Sequence, residues 1–488
     1  MNFIADLHIH SHFSRATSKT LNPENLSLWA QKKGVTVIGT GDLTHPGWIA
    51  ELQDKLIQAE EGLYQLRPDL QKKVDSEVPS SCLAPTRFLL SGEISCIYKK
   101  NGKTRKVHHL ILMPDMASVL RLQERLDRIG NISSDGRPIL GLDSRDLLEI
   151  ILETDERSFF IPAHIWTPWF SVFGSKSGFD SLEECFEDLT CHIHALETGL
   201  SSDPPMNRRL SALYSYILVS NSDAHSPGKL GREANNFNTD MDYSHIIRAM
   251  TDGQGFTGTI EFFPEEGKYH LDGHRKCNMR LQPGKTRELQ GICPGCGHPL
   301  TVGVLHRVYD LADRDFPPKL SKKFFSLIPL AEILSELLGR GPLTKTVMSQ
   351  YERLLSEIGP ELHILMDSDT KNIETAGGPI LAEAISRMRR KEVIIKEGYD
   401  GQYGTIHLFR GAEKDTIAGQ MAMFDQKPAP PSKPAKPFAT PAKLKIKKGK
   451  PTISTPAQPM YLITGPLNQE QKAAVLYQGR NILVTAGP

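Results

Sequence analysis

Phe3-Ile4-Ala5-Asp6-Leu7-His8-Ile9-His10-Ser11 is an apolar run that ends in two imidazoles spaced i, i+2. Alternation along a β-strand turns such a pair to one side, so both rings meet the same space. Working outward, six more short apolar runs follow: Val35–Asp42, Phe88–Ile97, Val107–Met113, Phe159–Ile165, Ile193–Glu197 and Tyr216–Asp223. Helix-like stretches separate them, among them Pro23–Gly34, Met116–Gly130 and Ser181–Leu189. Strand–helix alternation predicts an α/β fold with a parallel sheet, open or closed into a barrel. Seven strands predict a distorted (β/α) barrel over residues 1–265, one strand short of the eight-stranded form.

Catalytic groups of such barrels stand where the strands end. Here every predicted strand offers a metal-capable residue. The first gives His8 and His10, the second Asp42, the third Glu93 and the fourth His109. His164, Glu197 and the Asp223-Ala224-His225 pair complete the set. One strand-end histidine is ordinarily a satisfied polar residue. Seven coincident positions are harder to explain by packing, because buried charge is costly unless paired or bound to a cation. Mixed imidazole and carboxylate suits Zn, Mn or Fe better than Ca. Two or three divalent ions (Zn, Mn, Mg or Fe) would lower the pKa of a water and offset phosphate charge, which predicts phosphoester hydrolysis. Glu197 is expected to orient a ligand. For Arg15 and Lys176, phosphate contact and plain solvation both stay open.

The set His8-x-His10, Glu93, His109, His164 and Asp223-x-His225 resembles the polymerase-and-histidinol-phosphatase (PHP) superfamily of metal phosphoesterases. The resemblance implies one ion on His8, His10, Glu93 and Asp223, with His10, Glu93 and Asp223 named as catalytic. It implies a second ion on Glu93, His109 and His164, and a third on Asp42 and His225. His108 competes with His109, which is preferred because the family's histidine directly precedes the apolar run. The chain departs from the family at Asp42, where a histidine is frequent, and at Ser14-Arg15-Ala16, where another histidine often stands.

Residues 266–305 read as a small insertion rich in Cys, Gly and Pro. His274-x2-Cys277 precedes Cys293-Pro294-Gly295-Cys296, and knuckle spacing of this kind predicts one structural zinc. His298 and His306 are alternatives to His274. Residues 306–412 read as mainly helical, broken at Gly339-Arg340-Gly341-Pro342. Residues 413–460 read as a flexible linker, since Gln426–Lys450 carries eight lysines, many prolines and no acid.

This architecture also resembles endonuclease Q. The strings that carry the likeness are the opening through Ala16, Pro162-Ala163-His164-Ile165-Trp166-Thr167-Pro168-Trp169-Phe170, Leu305-His306-Arg307-Val308 and Glu397-Gly398-Tyr399-Asp400-Gly401-Gln402-Tyr403-Gly404. The family cuts DNA on the 5′ side of deaminated bases (hypoxanthine, uracil, xanthine) and at abasic sites. A DNA repair endonuclease acting on lesions is therefore implied. A base reader must enclose a base taken out of the stack. Candidate walls are Trp48, Trp166, Trp169, Phe170, Tyr399 and Tyr403, with Arg15 as a DNA contact; a core role is open for each aromatic. The runner-up is a small-molecule PHP phosphatase acting on histidinol phosphate or a nucleotide.

Two further stretches point toward DNA. Gln420-Met421-Ala422-Met423-Phe424 fits the glutamine-x-x-aliphatic-Phe peptide that docks bacterial proteins on the sliding clamp. Residues 461–488 resemble the truncated start of a UvrD/Rep-type helicase, with Gln471 matching the adenine-contacting glutamine. The phosphate loop begins at Thr485-Ala486-Gly487-Pro488 and lacks its lysine, so the ATP site is incomplete here.

Bulk properties fit these expectations without forcing them. A chain of 488 residues should hold several domains, and a net charge of +1 favours no partner class. Asp6, His8 and His10 break any signal-like start, and the sequence contains no run of 18 apolar residues, the length that would predict a bilayer span. Seven cysteines, three of them in the knuckle cluster, suit a reducing cytoplasm.

Overall fold

The strand Asn2–Asp6 and the strand Val37–Gly39 run parallel, with Ala5 opposite Val37. The helix Pro23–Lys33 makes the crossover between them. Asn22 caps it by accepting from Asn25 N, proline opens its first turn, and Gly34 at φ 84 ends it. Arg87–Leu89 adds a third parallel strand beyond Val37–Gly39. These observations come from a computed structural model, which describes residues 1–411 and 413. The clamp-like peptide Gln420–Phe424, the lysine-rich linker and the helicase-like stretch with Gln471 lie outside the described residues.

The three strands form the middle of an eight-stranded sheet. On one side stand Ala234–Asn238, Phe256–Glu261 and Lys323–Ser326, and on the other the hairpin Leu56–Gln58 with Leu63–Leu66. After Leu90 the chain passes into a second sheet, built on the strands Ser91–Lys100 and Lys103–Leu112 and flanked by Ile139–Leu140 and Phe159–Pro162. Ala195–Glu197 and Ile217–Val219 pair in parallel as a third.

The α/β class expected for a distorted seven-stranded barrel is met, but among the described residues the strands form no closed barrel. Among the described residues three separate sheets follow one another. Ile165 N donates to Glu197 O at 3.1 Å between the second and third, and Asp223 N to His8 O at 2.9 Å and His10 N to Ala224 O at 3.2 Å link the third back to the first. One cause is local. Asn101 and Gly102 hold φ of 52° and 73°, the two-residue turn that closes an antiparallel hairpin. Strands expected as parallel neighbours are thus an antiparallel pair in continuous register from Ser91↔Leu112 to Lys100↔Lys103. A second cause is Ala234–Asn238, which pairs antiparallel with the first strand where the last parallel strand would close a barrel. One core cluster still draws residues from all three sheets, including Ala5, Leu7, Val37, Leu89, Leu110, Ile161, Ala195 and Val219.

Five helices, Leu330–Leu338, Lys345–Glu357, Glu361–Met366, Thr370–Gly377 and Pro379–Arg389, follow the sheets. They dock on the first helix through the buried pair Lys33 Nζ–Glu361 Oε2 at 2.6 Å. The stretch expected to be helical also holds strands: Lys323–Ser326 joins the main sheet, and Ile394–Lys396 pairs with Thr405–His407. Tyr399 bridges to Leu271, so this hairpin sits against the cysteine-bearing insertion.

Candidate metal centre

The apolar strands carry their polar ends to one place. Three non-glycine residues there, Asp42, His164 and Asp223, hold left-handed backbone at φ 50°, 29° and 47°. Such conformations are sparse for side-chain-bearing residues and collect at functional sites.

Glu93, fully buried near the start of Ser91–Lys100, is the hub. Its Oε2 lies 3.4 Å from His10 Nε2 and 3.7 Å from His8 Nε2. Its Oε1 lies 2.5 Å from His108 Nδ1 and 3.1 Å from His164 Nε2. Asp223 Oδ1 is 3.0 Å from His10 Nε2 and 4.0 Å from His8 Nε2. The donor atoms of His8, His10, Glu93 and Asp223 all fall within 4.8 Å of one another, and those of Glu93, His108 and His164 do the same. Burial alone would raise the Glu93 carboxyl, but the charges of His108 and Arg137 hold it well below the usual carboxylate range.

One atom tests whether a cation fits. His8 Nδ1 lies 3.0 Å from both Glu197 oxygens, while its Nε2 is buried with no hydrogen-bond partner. A histidine whose outer nitrogen donates to a carboxylate presents a lone pair on the other, which is how metal-bound imidazoles are oriented. Glu197 is itself fixed, accepting from His164 N at 2.8 Å and Asn221 Nδ2 at 2.9 Å. An orphaned nitrogen aimed at two carboxylates fits a divalent cation.

The two groups contain His8, His10, Glu93, Asp223 and His164 from the expected ligands. His109 is a correction: it faces away, buried beside Phe160 and Phe186, with Nε2 2.8 Å from Ser144 Oγ. Burial pushes it down to about 3, so it is neutral. His108 takes the place expected of it. Register explains the exchange, because Glu93 pairs with Leu110 and alternation then puts 108, not 109, on the face of Glu93.

Asp42 and His225 do not form a third group. Asp42 Oδ1 sits 3.1 Å from His10 Nδ1, and its oxygens also accept from Ser11 N, Ser11 Oγ and Ser14 Oγ. It orients His10 as Glu197 orients His8. His225 rests its ring 4.6 Å from that of His10, with Nδ1 3.5 Å from Asp223 Oδ1.

A cavity of about 590 Å³ opens over the centre, with His108, His164, Asp223 and His225 on one wall and Trp169, Tyr269 and Tyr403 on another. Trp169 is 39% exposed and meets Tyr269 edge-on at 5.6 Å, while Tyr403 is 70% exposed. Trp166 and Tyr399 are corrections, since both are core. Trp166 donates to Asn207 Oδ1 at 2.8 Å, and the Tyr399 hydroxyl donates to Asn278 Oδ1 at 3.0 Å. Trp48 is likewise fully buried, with its indole N–H on Gly41 O. Arg15 is 76% exposed beside Asp135, and Lys176 is exposed. Sequence reasoning missed Arg137, whose Nη1 donates to Glu93 Oε2 at 3.0 Å. It lies on an aperiodic loop that gives no signal.

Away from the centre, His274, Cys277, Cys293 and Cys296 bring four donor atoms within 4.8 Å. His274 Nδ1 lies 3.2 Å from Cys296 Sγ. His306 is engaged elsewhere, on Asp272, and His298 Nδ1 faces Cys296 O.

Comparison with known proteins fits this geometry. A family described as the MJ0043 C-terminal domain matches residues 329–392. An uncharacterised protein of Methanocaldococcus jannaschii, MJ0043, is 32% identical over 269 residues, 52% of this chain; the chain spans about a third of that relative's length. The crystal structure of the lesion-specific endonuclease PfuEndoQ from Pyrococcus furiosus superposes with a TM-score of 0.73 at 32% identity, over 86% of this chain and 99% of that one. Endonuclease Q in complex with a 27-mer duplex bearing an abasic lesion at its active site gives 0.71 at 32% identity, over 83% and 96%. With nearly the whole of those enzymes matched, the chain belongs to the endonuclease Q family.

Proposed function

We propose that this protein is a DNA repair endonuclease that hydrolyses the phosphodiester on the 5′ side of a deaminated base (hypoxanthine, uracil or xanthine) or an abasic site. The observation that carries the reading is the shared hub. Glu93 belongs to both donor groups, and its partners His108, His164 and Asp223 line the same cavity as Trp169 and Tyr403. In this reading His8, His10, Glu93 and Asp223 hold one ion, and Glu93, His108 and His164 a second. Divalent ions there would lower the pKa of a water and offset the charge of the scissile phosphate. The chain's own work is orientation: Glu197 fixes His8, Asp42 fixes His10, and Glu93 ties the two groups together. Trp169 and Tyr403 offer faces against which an extruded base or a bare sugar can lie. His274, Cys277, Cys293 and Cys296 would hold a structural zinc that staples the insertion. The PHP-type endonuclease likeness favours a DNA substrate over the small-molecule alternative.

The test is nicking of duplexes that each carry one hypoxanthine, uracil, xanthine or abasic site, with Mn²⁺ supplied and the cut position mapped. Incision 5′ to the lesion is expected. Turnover of a small phosphomonoester with all the duplexes left intact would overturn the proposal.

A further inference from the structure

Arg137 reaches the centre from a loop pinned by its backbone. Gly136 N donates to Phe13 O at 3.2 Å, and Asp135 Oδ1 accepts from the N–H groups of Arg15 and Arg137, each at 3.2 Å. Gly136 presses so close that a Cβ would stand 2.2 Å from Asp42 Oδ2, so no other residue fits. The loop therefore delivers Arg137 to Glu93 Oε2, the oxygen that faces the Nε2 atoms of His8 and His10. Its guanidinium sits where an ion held by His8, His10, Glu93 and Asp223 would draw on that carboxylate. A guanidinium has five N–H donors in a rigid fork. One donates to Glu93, while the side chain is 28% exposed and lines the cavity.

We infer that Arg137 is a substrate-phosphate-binding residue, held on Glu93 until a divalent ion takes that oxygen. The inference rests on the ion-binding reading above. Two cations at one buried carboxylate repel each other. Once displaced, the fork finds an anion in the cavity, where phosphate oxygens match its geometry. Arg137 thereby links ion loading to DNA binding. A purely structural Arg137, one that only holds Glu93 in position, predicts the opposite sign: its removal would weaken ion binding.

The experiment uses the metal-stripped full chain with Mn²⁺ as the probe. Arg137→Gln should bind Mn²⁺ roughly tenfold tighter by calorimetry, the scale of one charged hydrogen bond removed from competition. Arg137→Lys keeps the charge and should stay near wild type for Mn²⁺. DNA affinity is then measured against salt, using a duplex with a tetrahydrofuran abasic analogue and a phosphorothioate at the scissile linkage. With Mn²⁺, Arg137→Gln should lower the log–log salt slope by about 0.9, one phosphate contact. Without Mn²⁺ the two slopes should coincide. Equal or weaker Mn²⁺ binding by Arg137→Gln, or the same slope difference with and without Mn²⁺, overturns the inference. A wild-type chain that takes up no Mn²⁺ overturns the ion-binding reading as well. Wild-type uptake with unaltered variant affinity overturns this inference alone.

Discussion

Glu197 touches no expected substrate, yet its replacement by glutamine should cripple ion binding. In the wild type both carboxylate oxygens lie 3.0 Å from His8 Nδ1, which fixes the tautomer that leaves Nε2 free to ligate. The same carboxylate accepts from His164 N, so it places a ligand of each donor group. Glutamine keeps the shape but removes the charge and replaces one acceptor by an NH₂ donor. Whichever way the amide turns, its NH₂ meets a donor, His164 N or Asn221 Nδ2, and turned toward His8 Nδ1 it forces the other tautomer, which puts a proton on the ligating Nε2. Loss of such an orienting carboxylate weakens metal affinity about 10- to 100-fold. That corresponds to roughly 1.4–2.8 kcal/mol, since each tenfold change is about 1.4 kcal/mol. Calorimetric titration of the stripped Glu197→Gln chain with Mn²⁺ measures it, with circular dichroism as the check on folding. Affinity within about twofold of wild type would refute the claim that Glu197 sets the His8 tautomer.

His108→Ala should lose roughly tenfold or more in Mn²⁺ affinity, whereas His109→Ala should lose little affinity but melt lower, since it empties a packed site; equal effects on binding would contradict the register argument. Lys33→Met should destabilise by about 3–5 kcal/mol in denaturant unfolding, because it leaves Glu361 buried without its counter-charge, and adding Glu361→Gln, which removes the charge but keeps an acceptor for Leu330 N or the Tyr351 hydroxyl, should restore part of the loss. A single variant as stable as wild type would show that pair to be inert. Burial pushes the Glu261 carboxyl up to about 8, above its usual range near 4.5. The native state therefore keeps a proton that the unfolded chain has released, and stability should fall as pH rises through that window. Thermal melts at about pH 5 and about pH 9 should show a smaller drop for Glu261→Gln than for wild type, and identical drops would exclude Glu261 as the source. Chelation should release zinc from the wild type but about one ion fewer from a Cys293→Ser/Cys296→Ser chain; equal release would remove the structural-zinc assignment.

Much of this was legible in the sequence because strand ends announce themselves. Apolar runs that stop at His, Asp or Glu led directly to His8, His10, Glu93, His164 and Asp223, which the fold brings together. The choice between His108 and His109 went wrong for want of a register. Asn101-Gly102 supplies it: a two-residue turn there sets Lys100 against Lys103 and hence Glu93 against Leu110. The same missed hairpin led to a parallel barrel where an antiparallel pair stands. Asp42 was read as a ligand because composition does not say which ring nitrogen a carboxylate will meet. It meets His10 Nδ1, the outer one. Trp166 and Tyr399 were ambiguous because an aromatic near a motif packs wherever tertiary neighbours offer a partner, here Asn207 and Asn278. Arg137 left no trace, since loop residues carry no periodicity from which to read a direction.

The left-handed backbones of Asp42, His164 and Asp223 carry a consequence for durability. Each holds a conformation that costs on the order of 1 kcal/mol or more in a residue with a side chain. Glycine would relax all three backbones, although at Asp42 it would strip the acceptor from Ser11 and Ser14, and asparagine would ease both aspartates while keeping an acceptor. The positions that chemistry needs are therefore the ones that thermal endurance would discard. A screen for heat resistance alone should gather its gains there and return a sturdier protein with its reactivity gone.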